Sequence, residues 1–173
     1  MYCLLGLVCA LVYLPIATAV DSTPCDSGRT VLLSKGTHAT QSSVGWDGVA
    51  ERAVDGRKSG TYGDGTCTHT QNQANNWWMV DLGKTFKVKY VRLYNRQDCC
   101  RERLNGAIIR VGNNPNGMLT NPHCGGVVNN AETSASQVIS RQCSPQLTGR
   151  YVSVSLTSNF LTLCEVEVWG EEV

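Results

Sequence analysis

Hydrophobic and polar residues alternate with a period of two along several short segments of the chain. These segments are WWMVDLG, VKYVRLYN, AIIRVG, YVSVSLT and CEVEVWG, and connectors rich in Gly and Asn, such as VGNNPNG and NPHCGG, separate them. Such alternation is typical of β-strands, and the connectors are typical of turns. Helical periodicity is hard to find. The pattern predicts an all-β fold without helices, an antiparallel β-sandwich or jelly roll, whose final strand, Glu165 to Trp169, pairs beside an early one.

The first nineteen residues differ from the rest of the chain. They carry no charged side chain and end in Ala17-Thr18-Ala19, a small-x-small sequence. This predicts a signal peptide over 1–19, although a basic residue is missing near its start. The apolar run from Tyr2 to Ile16 is shorter than the roughly 20 residues that a spanning helix needs. We therefore expect a secreted protein without membrane insertion, with a tail over 20–28 and one domain over 29–173.

Charge and motifs narrow the class of function. The 173 residues carry a formal net charge of +1. The basic face that nucleic-acid partners require is missing, so we expect no nucleic-acid partner. The chain has no nucleophile elbow, phosphate-binding loop or H-E-x-x-H motif, and no sign of the paired carboxylates that glycoside hydrolysis uses. A binding protein is favoured over an enzyme.

Seven cysteines remain after removal of the predicted signal peptide, which contains Cys3 and Cys9. In an oxidising compartment they should form disulfides, and the odd count leaves one without a partner. Cys99 and Cys100 are adjacent. They form either a strained ring with each other, of the kind that often marks a functional site, or disulfides with separate partners.

Basic side chains surround this cysteine pair. Arg96 and Arg103 flank it, and His69 lies upstream in TCTHT. Two planar guanidinium groups and an imidazole provide many hydrogen-bond donors, which suit an oxygen-rich ligand such as a sugar, or an anion. The alternative is that the arginines pair with Asp98 and Glu102 on a solvated loop.

The spacing of these residues resembles the signature of the F-type lectin (fucolectin) family. His69 is followed, after twenty-six residues, by Arg96-Gln97-Asp98 and, after four more, by Arg103. The blocks GTCTHT, QANNWWMVDLG, NRQDCCRERLNGA, GRYVSV and LTLCEVEVWG extend the similarity over 29–170. The resemblance implies a discoidin-type, galactose-binding-like jelly roll that binds terminal L-fucose in a shallow pocket at one end, without catalysis.

The resemblance also assigns roles to individual residues. His69, Arg96 and Arg103 would donate hydrogen bonds to sugar oxygens, and a Cys99–Cys100 disulfide would lie against a carbon–carbon edge of the ring. Asp98 would orient the arginines from behind. For the C6 methyl group of fucose the candidate contacts are Trp46 and Tyr62, with packing in the core or a loop as the alternative for each.

A disulfide framework and a metal site are implied in the same way. Cys67 would pair with Cys164, and Cys124 with Cys143, which leaves Cys25 either to link two chains or to stay free. One structural Ca²⁺ would bind the side chains of Asp55, Glu165 and Thr66 and the backbone carbonyls of Arg52, Arg57 and Cys164. Hard oxygen ligands from several loops are what this cation requires.

The expected partners are fucosylated glycans or glycoproteins. Because a single small site binds weakly, useful avidity predicts a homo-oligomer. The biological role is either recognition of cell-surface or microbial carbohydrates in innate defence, or fertilization, where a bindin-like protein would be stored in a sperm granule such as the acrosome. A discoidin-like module for phospholipid or protein is the remaining alternative.

Overall fold

The computed structural model describes residues 30–173. The predicted signal peptide, the tail over 20–28 and Cys25 lie outside the described residues. Six strands form: β1 Val31–Leu32, β2 His38–Gln41, β3 Asn76–Tyr94, β4 Ile108–Gly112, β5 Val138–Leu156 and β6 Glu165–Glu172. One α-helix, α1, covers Asn130–Ala135, and 3₁₀ turns cover Ala50–Ala53, Tyr62–Asp64 and Arg101–Leu104.

All strand pairs are antiparallel, which confirms the predicted all-β class. The strand order is β1-β6-β3-β5-β4, with β2 also paired to β3. The final strand pairs with β1 and with β3, as expected. The segments WWMVDLG and VKYVRLYN, which read as two strands, form the single 19-residue strand β3. Its register shifts between Asp81 and Phe86, and again between Val88 and Tyr90.

Alternate side chains of these strands are buried in the core. Along β3, Trp78, Val80 and Leu93 are buried, whereas Trp77 is partly exposed. One tryptophan of the WW pair therefore packs in the core. The indole Nε1 of Trp78 donates to the carbonyl of Ala50 at 2.9 Å, so the buried ring also fixes the 3₁₀ turn that leads to residues 54–57.

Helix α1 contradicts the expectation of a chain without helices. Asn129 caps it by accepting from the Glu132 amide at 3.1 Å, while the Asn129 amide donates to the Glu132 carboxylate at 2.9 Å, a complete capping box. Glu132 also binds the Arg141 guanidinium of β5. Because Thr133 is its only buried residue, the helix has no apolar stripe that a periodicity search could find.

Three disulfides are present in the structure, Cys67–Cys164, Cys99–Cys100 and Cys124–Cys143, the same pairs that the family resemblance implied. Cys67 and Cys164 are 97 residues apart. For a loop of that length, chain entropy predicts a stabilisation of about 4.7 kcal/mol. Within residues 30–173, no helix has the length and hydrophobicity needed to cross a membrane.

Candidate functional site

Loops at the end of β3 enclose a pocket of about 250 Å³. The loop that follows Tyr94 contributes two arginines, and the loops before β3 and after β5 contribute an imidazole and aromatic rings. The pocket is lined by Trp46, Tyr62, His69, Arg96, Arg103 and Phe160. The structure therefore brings together the histidine, the two arginines and both aromatic candidates that the sequence singled out.

His69 is the most constrained residue of the pocket. Its side chain is buried, and Nδ1 lies 2.6 Å from the carbonyl oxygen of Thr70. Since a carbonyl can only accept, Nδ1 carries the proton and donates. In the neutral ring Nε2 is then an acceptor, and Arg103 Nη1 lies 3.3 Å from it. In this tautomer the neutral imidazole would accept from a ligand at Nε2, and donation from Nε2 would require the protonated ring.

The backbone around His69 lies so close to the facing loop that two positions of this loop, Gly45 and Gly48, have no room for a side chain. The His69 amide donates to the Gly48 carbonyl, and the Gly45 amide donates to the His69 carbonyl, each at 2.8 Å. A Cβ atom at Gly48 would collide with the His69 backbone, and one at Gly45 would lie 2.9 Å from the Thr70 carbonyl oxygen. Glycine is required here so that the loop 43–49 can close directly over the imidazole.

Burial lowers the pKa of His69, and the positive charges of Arg103 and Arg96 lower it further, while the hydrogen bond to Thr70 opposes them. The imidazole is therefore neutral at pH 7, because the ordinary histidine pKa of about 6.5 is already below that pH. Neutrality preserves the acceptor at Nε2 that faces Arg103.

Arg96 is held by a two-point contact with Asp98. Its Nε lies 2.6 Å from one carboxylate oxygen and its Nη2 3.0 Å from the other. The guanidinium stacks 4.6 Å from the centroid of the Tyr62 ring. Hydrogen bonding to Arg96 lowers the pKa of Asp98. The carboxylate therefore stays ionised and fixes Arg96 in one plane.

Asp98 was expected to orient both arginines, and this is wrong for Arg103. Within the described residues, Asp98 contacts Arg96 and the amides of Tyr62 and Cys99, but not Arg103. Arg103 instead lies over the Phe160 ring, 4.6 Å from its centroid. Phe160 is the pocket residue that the sequence did not reveal, because a lone aromatic between turn residues gives no periodic signal.

The two aromatic candidates occupy different positions. Trp46 is 78% exposed, which excludes core packing, and its φ of +51° is unusual for a bulky residue. Tyr62 is partly buried and donates its hydroxyl hydrogen bond to the Trp46 carbonyl. Tyr62 therefore supports the loop that presents Trp46 at the rim of the pocket.

The vicinal disulfide lies in the loop between the two arginines of the pocket and lines a neighbouring concavity. Cys99 and Cys100 line a groove of about 400 Å³ together with Gln97, Arg101, Glu102 and Ser134. Cys100 has a φ of +59°, and its carbonyl accepts from the Arg103 amide at 3.1 Å. The disulfide is thus joined by backbone to the turn that carries Arg103 of the pocket, and its contact with a sugar stays a prediction.

The residues expected to hold calcium include a buried carboxylate, Glu165. Glu165 is 1% exposed, and the only hydrogen bond to its carboxylate within the described residues comes from the Gly56 amide at 3.2 Å. Burial raises its pKa to about 7, and the negative charges of Asp55 and Glu167 add to this. A buried carboxyl beside a second carboxylate, with one donor between them, has the chemistry of a cation site.

The other expected ligands are compatible with that chemistry. The Arg57 side chain turns away to the Asp64 carbonyl at 2.7 Å, and the Arg52 guanidinium donates to the Cys67 carbonyl at 3.3 Å. Thr66 is buried, and its hydroxyl donates to the Ser59 carbonyl at 2.7 Å. No group of three or more His, Cys, Asp or Glu side chains within 30–173 is suited to a metal, so carbonyl and hydroxyl oxygens would have to complete the site.

The fold and the pocket define a galactose-binding-like β-sandwich domain of the carbohydrate-binding class. Residues 52–154 match the family described as "NedA-like, galactose-binding domain". Fucolectin-6 of Anguilla japonica is 42% identical over 139 residues, which cover 78% of this chain and 71% of the relative. The chain belongs to the F-type lectin (fucolectin) family, which is non-catalytic.

The chain spans very different shares of its relatives' own lengths. A pentraxin fusion protein of Xenopus laevis is 40% identical over 125 residues, 70% of this chain but only 29% of the relative. The f-lectin (fucolectin) from Morone saxatilis (striped bass) serum superimposes with a TM-score of 0.71 and 40% identity, covering 78% of this chain and 46% of that one. A fucose binding module of Streptococcus pneumoniae superimposes with a TM-score of 0.70 and 33% identity, and the match covers 82% of this chain and 96% of that one.

The lowered pKa of His69 can be measured by NMR titration of the histidine side chains. We expect the His69 ring to titrate below the ordinary value of about 6.5. The Arg103→Gln variant should raise this pKa, because it removes a positive charge, whereas Arg150→Gln at a remote surface should not change it. Because the pKa of His69 is lowered in the folded protein, the neutral ring contributes to the free energy of unfolding above about pH 6.5. This contribution is lost as the pH falls below that value. A His69 pKa above the ordinary value would contradict this electrostatic description.

Proposed function

We propose that this protein is a secreted, calcium-stabilised lectin that binds terminal L-fucose on glycans. The observation that carries the proposal is the convergence of His69, Arg96 and Arg103 in one small pocket with an aromatic rim. The names of the relatives, fucolectins and a fucose binding module, support the same ligand.

The donors and acceptors of the pocket match the hydroxyl groups of a neutral sugar. Arg96 and Arg103 donate, and the one lone pair of His69 Nε2 faces Arg103. A sugar hydroxyl would replace Arg103 as the donor to Nε2 and accept from an arginine. An anion could not donate to Nε2, and Asp98 already neutralises the charge of Arg96. The wrong epimer would leave a buried donor unpaired, at a cost of about 1–3 kcal/mol. The rings of Trp46, Tyr62 and Phe160 offer apolar surface for the C6 methyl group.

The Arg96→Ala variant tests the sugar site directly. Loss of one charge-assisted hydrogen bond costs about 1.5–3 kcal/mol, so we expect the affinity for L-fucose to fall at least about tenfold in titration calorimetry. Arg92→Ala is the matched control, because Arg92 lies four residues earlier on β3 and outside the pocket. Equal affinity in wild type and the Arg96→Ala variant would contradict the proposed role.

The absence of any binding heat with folded wild-type protein would favour the discoidin-like alternative instead. One observation supports that alternative, since Val44, Trp46 and Val49 expose 48%, 78% and 42% of their surface on one loop. Exposed apolar loop tips of this kind suit a lipid surface. Pelleting with phosphatidylserine vesicles would then decide between a lipid and a sugar ligand.

Calcium would be held by Asp55, Glu165 and Thr66 together with the carbonyls of Arg52, Arg57 and Cys164. The bound cation would compensate the negative charge of the buried Glu165 carboxylate. The site would thereby join the start of β6 to the loop over 54–57.

Calcium should raise the melting temperature of the wild-type protein, and chelation should lower it. At a calcium concentration of about 100 times Kd, linkage adds roughly 2.7 kcal/mol to the free energy of unfolding. The Glu165→Gln variant should lose this response. Glu167→Gln is the control, because Glu167 is equally buried but is already paired with Lys58, and it should keep the response. A wild-type melting temperature that is indifferent to calcium would refute the metal site.

We propose that the glycan partners are cell-surface or microbial carbohydrates, recognised outside the cell. The occurrence of the striped bass relative in serum supports a circulating protein over one stored in a sperm granule. One small pocket binds a sugar weakly, so several linked sites are needed for avidity, and we propose a homo-oligomer. Light scattering of the purified protein should give a multiple of the single-chain mass, and a strict monomer would refute this part.

A further inference from the structure

A groove of about 590 Å³ lies across strands β3 and β5, and it shares no lining residue with the sugar pocket or with the groove beside the vicinal disulfide. Its lining includes Lys89, Tyr90, Arg92, Ser140, Gln142 and Ser144. We name it the sheet groove. We infer that the sheet groove binds an acidic sugar, that is, a sugar ring that carries a carboxylate. This inference does not rest on the proposed fucose site.

The register of the sheet brings the lining side chains of the sheet groove together. Val91 is buried in the core, so its neighbours on β3, Tyr90 and Arg92, lie on the opposite face of the sheet. On β5, Gln142 is the cross-strand partner of Tyr90, and Ser140 is the partner of Arg92. The volume of the groove falls within the roughly 300–1,000 Å³ that is usual for small-molecule sites, so it has room for a sugar ring.

Arg92 supplies an oriented positive charge with free hydrogen-bond donors. Its guanidinium lies 5.2 Å from the centroid of the Tyr90 ring, and the Trp169 ring stacks against the same tyrosine with 5.9 Å between centroids. Arg92 Nη1 is 3.7 Å from the Glu167 carboxylate, too far for a hydrogen bond, and the side chain makes no other polar contact within residues 30–173. Glu167 already binds Lys58 and accepts from Trp169 Nε1 at 3.2 Å. The guanidinium is therefore held in place while its N–H groups stay available to a ligand.

The charge of this face of the sheet favours an anionic ligand. Glu171 pairs with Lys89 at 2.7 Å and lies opposite Lys87 in the register of β3 and β6. Glu167 is likewise shared between two cations, so positive charge exceeds negative charge beside the groove. Glu165, the next carboxylate along β6 on this face, belongs to the candidate calcium site. A guanidinium with an unmatched charge can hold a carboxylate in a two-point contact.

Neutral polar side chains line the other side of the sheet groove. Ser140, Gln142 and Ser144 are exposed, and their side chains make no hydrogen bond within the part of the chain that the structure describes. Hydroxyl and amide groups both donate and accept, as the hydroxyl groups of a sugar do. The Tyr90 ring adds an apolar surface for the C–H groups of a sugar ring. The groove thus fits a ring that carries hydroxyl groups and one carboxylate better than it fits a bare anion.

NMR titration of the protein in calcium tests this with four probes: methyl β-D-glucuronide, methyl α-sialoside, methyl β-D-glucoside and acetate. The first two represent uronic and sialic acids, the glucoside lacks the carboxylate, and acetate lacks the ring. We expect at least one acidic sugar to shift the amide signals of Tyr90 and Gln142 and the indole signal of Trp169, but not the signals of His69. That sugar should bind at least about tenfold more tightly than the glucoside or acetate, because a charge-assisted contact and the ring contacts both contribute.

The Arg92→Gln variant should weaken the binding of that sugar at least about tenfold, because it removes the charge and the two-point contact. Arg150→Gln is the matched control. The Arg150 side chain is 42% exposed, as is that of Arg92, and lies 5.4 Å from the centroid of the Tyr151 ring, but Asp81 already binds it at two points. This variant and Arg96→Ala should both bind the acidic sugar with unchanged affinity.

The inference is wrong if neither acidic sugar shifts the groove signals, if the glucoside or acetate binds equally well, or if the Arg92→Gln variant keeps full affinity. Shifts confined to the residues of the fucose pocket would also overturn it, since they would place the acidic sugar there. The affinity for L-fucose, measured in the same variants, reports separately on the proposed function. Arg92→Gln should keep that affinity, which also shows that the variant is folded.

Discussion

The Cys67–Cys164 disulfide is the constraint on which the functional end of the molecule depends. It joins the loop that carries His69 to the start of β6, which carries Glu165. Tyr94, the last residue of β3, packs against the same sulfur atoms, and its carbonyl accepts from the Cys164 amide at 2.8 Å. Arg96 follows two residues later. One buried crosslink therefore sets the relative positions of the sugar pocket and the candidate calcium site.

The electrostatics of the pocket follow from how its charges are matched. Arg96 is neutralised by Asp98, and burial together with the arginine charges keeps His69 neutral. The pocket therefore offers strong, directed hydrogen bonds with only the charge of Arg103 left over. Oriented donors discriminate hydroxyl directions, while a net charge attracts anions of any shape. Such a balance favours the selective binding of a neutral sugar, and it explains why the two arginines can lie near one imidazole.

Much of this arrangement could be predicted from the sequence, and the failures have physical reasons. Alternation identified the strands because one face of each is buried, but it could not show that bulges join two segments into β3, since a bulge preserves strand character on both sides. The grouping of His69, Arg96 and Arg103 was readable because their spacing resembles the signature of the F-type lectin family. The packing of Arg103 against Phe160 could not be predicted from the sequence, because it depends on a contact between loops that are distant in sequence.

In the loop over 43–49 hydrogen bonds fix the backbone, while the Trp46 side chain is exposed. Gly45 and Gly48 hold it against the His69 backbone, and the Tyr62 hydroxyl holds the Trp46 carbonyl. The Trp46 ring itself contributes little to the core, because most of it is exposed. A substitution there changes the rim of the pocket while the backbone contacts that position His69 persist. The rim of the pocket can therefore vary at Trp46 without loss of the fold or of the central pocket.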